Sequence, residues 1–393
     1  MIKNKRQEIE RIIKNNNNIA FIIGNGIHHQ YHDCNITWEG LLQSLWSEYF
    51  NEQIKIPNDV SFTEFFDIIE MNFYNNYISN PLNQEDYKVK IKDLRGINSD
   101  DLAQIMLKIT HKSSKISNAD NKTIKAFKVI HNKFVESCRK WCDVNIDDAN
   151  KLTNEACVYQ VLDVLSNGIK KQILTNAIKK SVAEKFSPKN SYSLEKCIRT
   201  IKRLNAPVLT TNFDTYISNS VEATQKTLKN GLYKFTDFYP WNMYYSDKTL
   251  TNPLDGFAVW HINGTQNYHR SIRLGLSDYM GCVERARTMI QSKNLNEYFS
   301  GKNQKNWKGY NTWLHIVFNK NLFIFGLGLE ENEVFLRWLL IQRRKYSKIY
   351  NKDLRGWYIN KNISNGKKFF LEQLGFEVIE ISNYDDLYSV FIS

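Results

Sequence analysis

Four short motifs rich in glycine and polar residues follow apolar, strand-like segments of the chain. They occupy residues 24–26, 210–214, 260–264 and 325–328. Ligands of open α/β sheets bind beyond the carboxyl ends of the strands, so motifs distant in sequence can meet at one site. Two glycine turns, an Asn, an Asp and a His would suit a nucleotide and a hydrolytic or group-transfer reaction.

The first motif, Gly24-Asn25-Gly26, has the start of a phosphate-binding turn. Glycine lets the backbone approach a pyrophosphate closely, and a following helix terminus favours negative charge. The full G-x-G-x-x-G pattern is absent because Ile27, His28 and His29 follow Gly26. An ordinary tight turn therefore remains an alternative.

The second motif places Thr211, Asn212 and Asp214 after an apolar strand. One interpretation is an Asx turn or a helix N-cap in which Asp214 or Thr211 caps the next helix. The other is a site in which the Asn212 amide holds a ribose hydroxyl or a water molecule and Asp214 orients it.

The third motif contains His261 near the end of a strand. A single histidine at such a place is often a hydrogen-bonded core residue. With an ordinary pKa near 6.5, it is also the natural candidate for a general base at neutral pH. A further group, His28, His29, His32 and Asp33, does not follow a known metal-ligand spacing, so we expect no metal.

Six apolar segments predict buried strands that alternate with helices, which indicates an α/β fold with a parallel sheet. The segments are Ile19–Ile23, Val208–Thr211, Phe257–Ile262, Asn321–Phe325, Gly356–Ile359 and Glu377–Ile381. Between the first two, glycine is sparse and apolar residues recur at helical spacing. We therefore predict one sheet domain over residues 1–60 and 204–393, interrupted by an all-helical insertion over 61–203.

Composition narrows the class of protein. The chain has 393 residues, 42% hydrophobic content and a net charge of +12. No apolar run reaches transmembrane length and the chain opens on a polar helix, so we expect a cytoplasmic protein. The basic charge allows nucleic-acid contact or a solvated surface, with the densest cluster at Arg343–Lys345. The six cysteines form no C-x-x-C pair, which argues against a zinc ribbon.

Taken in order, the motifs resemble the sirtuin-like domains of bacterial antiphage defence. Those domains carry a glycine turn followed by a Trp-x-x-Leu-Leu helix, matched here by residues 24–26 and Trp38–Leu42. Their Thr-x-Asn-x-Asp strand end is matched by residues 210–214, and their late glycine turn with an acidic residue by 326–331. Leu276–Tyr279 resembles the segment between the third and fourth motifs. The resemblance covers about residues 1–50 and 204–393.

Two departures from the family pattern affect the expected chemistry. The four-cysteine zinc module of deacylating sirtuins is absent. Asn263 also stands directly before Gly264, where relatives place the catalytic His. His261 lies two residues earlier and therefore on the same face of a strand.

The resemblance implies a Rossmann-like, sirtuin-like fold that hydrolyses NAD⁺ to ADP-ribose and nicotinamide without a metal. Asn212 would position water or ribose, Asp214 would support it, and His261 would act as the base. The expected NAD-binding residues are Gly24, Asn25, Gly26, Thr211, Gly264, Gly326 and Gly328.

The resemblance also implies partners. Such a subunit acts as an effector of antiphage defence, forms homo-oligomers, and in one arrangement is paired with a HerA-type ring ATPase. Three alternatives remain open: an NAD-dependent protein deacylase, a non-catalytic sensor of NAD or ADP-ribose, and a nuclease-type effector that uses the basic surface.

Overall fold

The computed structural model describes residues 5–31, 37–78, 178–185, 191–228, 239–290 and 307–392. Residues 1–69 and 179–393 form one compact unit, and residues 70–178 form a second. Most of the predicted helical insertion, 61–203, falls outside the described residues and stays a prediction. The first unit contains the sheet and all of the predicted site residues.

The first unit is an α/β structure built on one mixed sheet of eight strands. In chain order the strands are β1 (Ile19–Ile23), β2 (Val208–Thr210), β3 (Thr224–Thr227), β4 (Met243–Ser246), β5 (Val259–His261), β6 (Asn321–Phe325), β7 (Gly356–Asn360) and β8 (Phe376–Glu380). Their order across the sheet is β3-β4-β5-β2-β1-β6-β7-β8.

Six strands of the sheet are parallel, as the sequence predicts, and two are not. Strands β1, β2, β5, β6, β7 and β8 pair in parallel. Strands β3 and β4, at one edge of the sheet, are antiparallel and correct the expectation of a purely parallel sheet. Strand β3 has the sequence TQKT and is largely exposed, so it lacks the apolar run that identifies the buried strands.

Helices cover both faces of the sheet. The α-helices of the described residues, in chain order, are α1 (Lys5–Lys14), α2 (Gly26–Tyr31), α3 (Trp38–Phe50), α4 (Phe62–Ile78), α5 (Tyr192–Arg203), α6 (Tyr216–Asn219), α7 (Leu276–Ile290), α8 (Leu314–Asn319), α9 (Val334–Ile349), α10 (Asn365–Gln373) and α11 (Asp385–Ile392). Residues 178–185 are also helical, and a short 3₁₀ turn spans His269–Ser271.

Alternate residues of the strands point to opposite faces and contribute to two separate cores. Ala20 and Ile22 of β1 pack with α7, α8, α9 and α10. Ile19, Phe21 and Ile23 pack on the other side with α1, α5 and α11. Because both faces of β1 are covered, all five of its residues are buried, which explains its continuous apolar sequence.

Candidate functional site

The structure brings the starts of all four motifs together at the carboxyl ends of the parallel strands β1, β2, β5 and β6. Ile23 at the end of β1 pairs with Thr210 of β2 on one side and with Phe325 of β6 on the other. Thr210 in turn pairs with His261 of β5. The expectation that these motifs converge at the strand ends is therefore confirmed for their backbone positions.

The two glycine turns pack directly against each other. The Gly26 amide donates a hydrogen bond of 2.7 Å to the Gly326 carbonyl. A Cβ atom on Gly24 would lie 2.5 Å from that same carbonyl oxygen, and one on Gly26 would lie 2.8 Å from the Gly326 Cα. Gly326 has a φ of +63°, in the left-handed region that favours glycine. Close backbone packing between the ends of β1 and β6 thus requires these glycines.

Behind the turns lies a closed cluster of buried polar side chains: His28, Asn212, Asp214, Ser218 and His261. Asp214 Oδ2 is 2.9 Å from His28 Nε2, and Asp214 Oδ1 accepts a bond from the Tyr216 amide. Burial alone would raise the pKa of Asp214. The charge and hydrogen bond of His28 and the bond from Tyr216 outweigh burial and lower it.

His261 is enclosed within this closed cluster. Its Nδ1 lies 2.8 Å from the Asn212 carbonyl oxygen, and its Nε2 lies 3.2 Å from Ser218 Oγ. Burial lowers the pKa of His261 below its ordinary value. Both ring nitrogens therefore bind protein atoms, and the side chain is 1% exposed.

Asn212 connects the closed cluster to the first glycine turn. Its Nδ2 donates a 3.3 Å hydrogen bond to the Gly24 carbonyl, and its side chain is fully buried. Thr211 is also buried, and its amide donates to the carbonyl of Ile23. Both residues therefore fix the end of β2 against the end of β1.

The third motif is a tight turn. Gly264 has a φ of +94°, and a Cβ atom there would lie 2.2 Å from the Ser271 carbonyl oxygen. Asn263, directly before Gly264, donates from Nδ2 to the Tyr279 hydroxyl at 3.3 Å. An amide side chain does not act as a base, so Asn263 supplies no proton acceptor here.

A cavity of about 710 Å³ opens between the ends of β1 and β6. Its volume is within the usual range for small-molecule sites, roughly 300–1,000 Å³. The lining comes from the two glycine turns, α2, the start of α3, the start of α4, the loop before α9, the end of β7 and the residue before α11. The polar and aromatic lining residues are Asn25, His29, Gln30, Thr37, Trp38, Glu39, Phe62, Glu330, Asn332, Glu333, Asn360 and Tyr384.

Four of the predicted nucleotide-binding residues line this cavity: Asn25, Gly26, Gly326 and Gly328. Gly328 is held by the Tyr358 hydroxyl, which donates to its carbonyl at 2.9 Å. The remaining predicted residues are described by the structure but lie outside the lining: Gly24, Thr211, Asn212, Asp214, His261 and Gly264. Their assignment to the site stays a prediction.

Sequence reasoning missed Glu333, a titratable residue in the cavity wall. Glu333 is partly buried and occupies the N-cap position of α9, but its side chain makes no capping hydrogen bond. Burial, followed by the negative charge of Glu330, raises the pKa of Glu333 from 4.5 to about 7. A Glu in a loop carries no sequence signal for such a shift, since the shift depends on packing.

The basic cluster Arg343–Lys345, in the second half of α9, is partly structural. Arg343 is 1% exposed, and its guanidinium donates to the carbonyls of Val317, Lys320 and Arg355. Arg343 therefore binds three carbonyls of its own chain instead of facing outward, whereas Lys345 is exposed.

The described part of the chain contains neither a metal cluster nor a membrane-spanning helix. No group of three or more His, Cys, Asp and Glu side chains is arranged there to hold a metal ion. No helix in the same residues combines the length and apolar character needed to cross a bilayer. His32 and Asp33 lie outside the described residues.

Comparison with known proteins leaves the family open. No protein-family model matches the chain, and no curated protein matches it significantly.

Proposed function

We propose that the cavity binds NAD⁺ and that the chain is an NAD⁺ hydrolase with a Rossmann-like, sirtuin-like fold. The observation that carries this proposal is the position of the cavity. The parallel strands β2 and β5, which follow β1 in the chain, lie on one side of β1, and the next parallel strand, β6, lies on the other side. The strand order therefore changes direction between β1 and β6, where the cavity opens. Ligands of open α/β sheets bind at this switch point, beyond the carboxyl ends of the strands.

The polar part of the cavity wall supports a ligand that offers hydrogen-bond donors. Asn25 is 9% exposed, and its Oδ1 has no hydrogen-bond partner among the described residues. Its Nδ2 is 3.3 Å from His29 Nε2. A buried carbonyl oxygen without a partner is costly, and a ribose hydroxyl or a carboxamide N–H would satisfy it.

The aromatic part of the wall supports a flat ring. Trp38 and Phe62 both line the cavity, and their rings stack with centroids 6.3 Å apart. Nicotinamide and adenine are flat rings that pack well on such surfaces. Trp38 belongs to the Trp-x-x-Leu-Leu helix on which the family resemblance depends.

In the proposed reaction the bond between nicotinamide nitrogen and ribose C1′ breaks, and its electron pair leaves with nicotinamide. A water oxygen bonds to C1′, and the water releases one proton. Asn212 holds the Gly24 carbonyl and so positions the glycine turn, while the bond between Asp214 and His28 fixes the neighbouring helix α2. Orientation of the water and exclusion of bulk solvent would contribute to the rate.

The wider role follows from the resemblance alone. We propose that the chain is an effector of antiphage defence that forms homo-oligomers and works beside a HerA-type ATPase. An acetyl-lysine peptide assay separates this from NAD-dependent deacylation.

A second candidate function is a sensor that binds NAD⁺ or ADP-ribose without turnover. The observation that favours it is the enclosure of His261, together with the amide at position 263 in place of a base. A sensor would bind NAD⁺ in calorimetry and leave it intact in chromatography.

The test is to incubate NAD⁺ with the purified protein, alone and with the product of its genomic neighbour, and to separate the products by chromatography. ADP-ribose and nicotinamide in equal amounts are expected. Calorimetry on Asn25→Ala should show binding weakened by roughly 3–10-fold, the value of one hydrogen bond of about 0.5–1.5 kcal/mol. Asn58→Ala, at an exposed turn outside the cavity, is the matched control. NAD⁺ that neither binds nor reacts would refute the proposal.

A further inference from the structure

The proposed reaction needs a group that accepts a proton from water, and the closed cluster does not offer one to the cavity. His261 has both ring nitrogens bound inside the protein. Asn263 is an amide and is bound to Tyr279. The base must therefore come from another element that reaches the cavity.

Resting on the proposed NAD⁺ hydrolysis, we propose that Glu333 is the general base that takes the proton from the attacking water. Glu333 lines the cavity at the start of α9. Water would lose its proton to the Glu333 carboxylate while its oxygen bonds to C1′ and nicotinamide leaves with the bonding electrons. The proton then passes to solvent, so the reaction yields ADP-ribose, nicotinamide and one proton.

Two features of the structure distinguish Glu333 from Glu330, the other carboxyl of the same loop. The Glu333 carboxyl is not used to cap α9. Glu330, in contrast, forms an ion pair with Lys367 of α10. The cavity therefore offers a carboxyl that is not occupied in capping its helix. Asn25, on the first glycine turn, lines the same cavity.

Glu333 also lies near the third motif. Burial is the main reason that the pKa of Tyr279 is well above its ordinary value, and the charge of Glu333 is the next. Tyr279 is the residue that receives the hydrogen bond from Asn263. Glu333 is thus electrostatically coupled to the hydrogen-bond partner of Asn263.

The charged and titratable surroundings of Glu333 determine the expected pH dependence. They are Glu330 in the same loop, Tyr279 of α7, His29 of α2, Glu39 of α3, Arg337 of α9, Lys367 of α10 and Tyr384 before α11. Burial and the charge of Glu330 raise the pKa of Glu333 to about 7. A carboxylate base with this pKa would be half ionised near neutral pH, and the rate should rise with pH through that value.

The experiment compares kcat, KM and NAD⁺ binding for the parent chain, Glu333→Gln and Glu331→Gln across pH. We expect Glu333→Gln to lower kcat by about 10²–10⁴-fold while NAD⁺ still binds. Glu331→Gln, the same change at an exposed neighbour outside the cavity lining, should behave as the parent does. Glu330→Gln removes a nearby negative charge, so it should move the acid limb of the pH profile to lower pH.

The outcomes separate the two proposals. If the parent hydrolyses NAD⁺ and Glu333→Gln does so at the parent rate, the role of Glu333 is refuted and the proposed function stands. If Glu330→Gln does not move the acid limb of the pH profile, this result would also count against Glu333 as the general base. If the parent binds or consumes no NAD⁺, the proposed function fails and this inference fails with it.

Discussion

Two groups of polar residues lie near the carboxyl ends of the parallel strands, and they differ in their contact with solvent. In the closed cluster, His28 and Asp214 bind each other, and His261 binds Asn212 and Ser218. In the cavity, Glu333 is partly exposed and does not cap its helix. Buried polar side chains that bind one another stabilise a fold, whereas a partly exposed carboxyl with a shifted pKa is available for chemistry. Polar residues at a strand end can thus serve either purpose.

The largest expected effect is on stability, from breaking the closed cluster. Asp214→Ala leaves the buried His28 without its carboxylate and should lower the free energy of unfolding by about 3–5 kcal/mol at neutral pH. Asp353→Ala, which removes an exposed ion pair with Arg355, should cost less than about 1 kcal/mol. Urea titrations of both variants measure the difference, and equal losses would contradict the comparison.

The same pair predicts a pH dependence. The pKa of Asp214 is lowered in the folded state, so its ionised form adds stability at neutral pH. That contribution is lost as pH falls through the lowered folded pKa, below the ordinary range near 3.9. Urea titrations should show the gap between the parent and Asp214→Ala narrowing only in this acidic range. A gap that closes between about pH 5 and 7 would point to another group, such as a histidine with its ordinary pKa near 6.5.

The next largest expected effect is also on stability and comes from Glu333, whose pKa is raised where that of Asp214 is lowered. Its folded pKa is raised from 4.5 to about 7, so it favours the folded state below pH 4.5, and this contribution is lost as pH rises through about 7. Glu333→Gln should therefore be more stable than the parent at about pH 8, by at most about 3 kcal/mol, because the side chain keeps some contact with solvent. Thermal unfolding at about pH 5 and about pH 8 measures this. If the stability difference between Glu333→Gln and the parent is the same at both pH values, the pKa of Glu333 is not raised.

The smallest expected effect separates positioning from catalysis at His261. Replacing it with Ala removes partners of Ser218 and of the Asn212 carbonyl, which should cost about 1–3 kcal/mol of stability. If Glu333 is the base, His261→Ala should lower kcat much less than Glu333→Gln does and should leave the acid limb of the pH profile in place. A fully folded His261→Ala that binds NAD⁺ but has lost both turnover and the acid limb would restore His261 as the base.

Most buried strands could be predicted from sequence because burial leaves an apolar run, but the buried strand β4, with the sequence MYYS, was missed. Strands β1 and β6 begin and end at the predicted residues. The edge strand β3 was missed because exposed backbone pairing needs no apolar residues. Helix α9 begins at Val334, after the irregular stretch that follows the fourth motif and in which Leu329 has a φ of +51°.

The site was predicted less completely, for physical reasons. The glycine motifs follow β1 and β6 as predicted, and the structure explains Gly24 and Gly26 by their contact with Gly326, which is very distant in sequence. The pairing of His28 with Asp214 also joins distant parts of the chain. Glu333 depends on burial and on the charge of Glu330. None of these effects of the three-dimensional surroundings can be read from local spacing.

The most direct test of the central claim is hydrogen–deuterium exchange of the purified chain with and without saturating ADP-ribose, the product of the proposed reaction. We predict slower exchange in peptides that cover residues 25–30 and 326–334, where the cavity lining is concentrated. Peptides over residues 259–264, at the closed cluster and the third motif, should change little. Protection confined to 259–264, or no protection anywhere under conditions where the chain is folded, would contradict the assignment of this cavity as the nucleotide site.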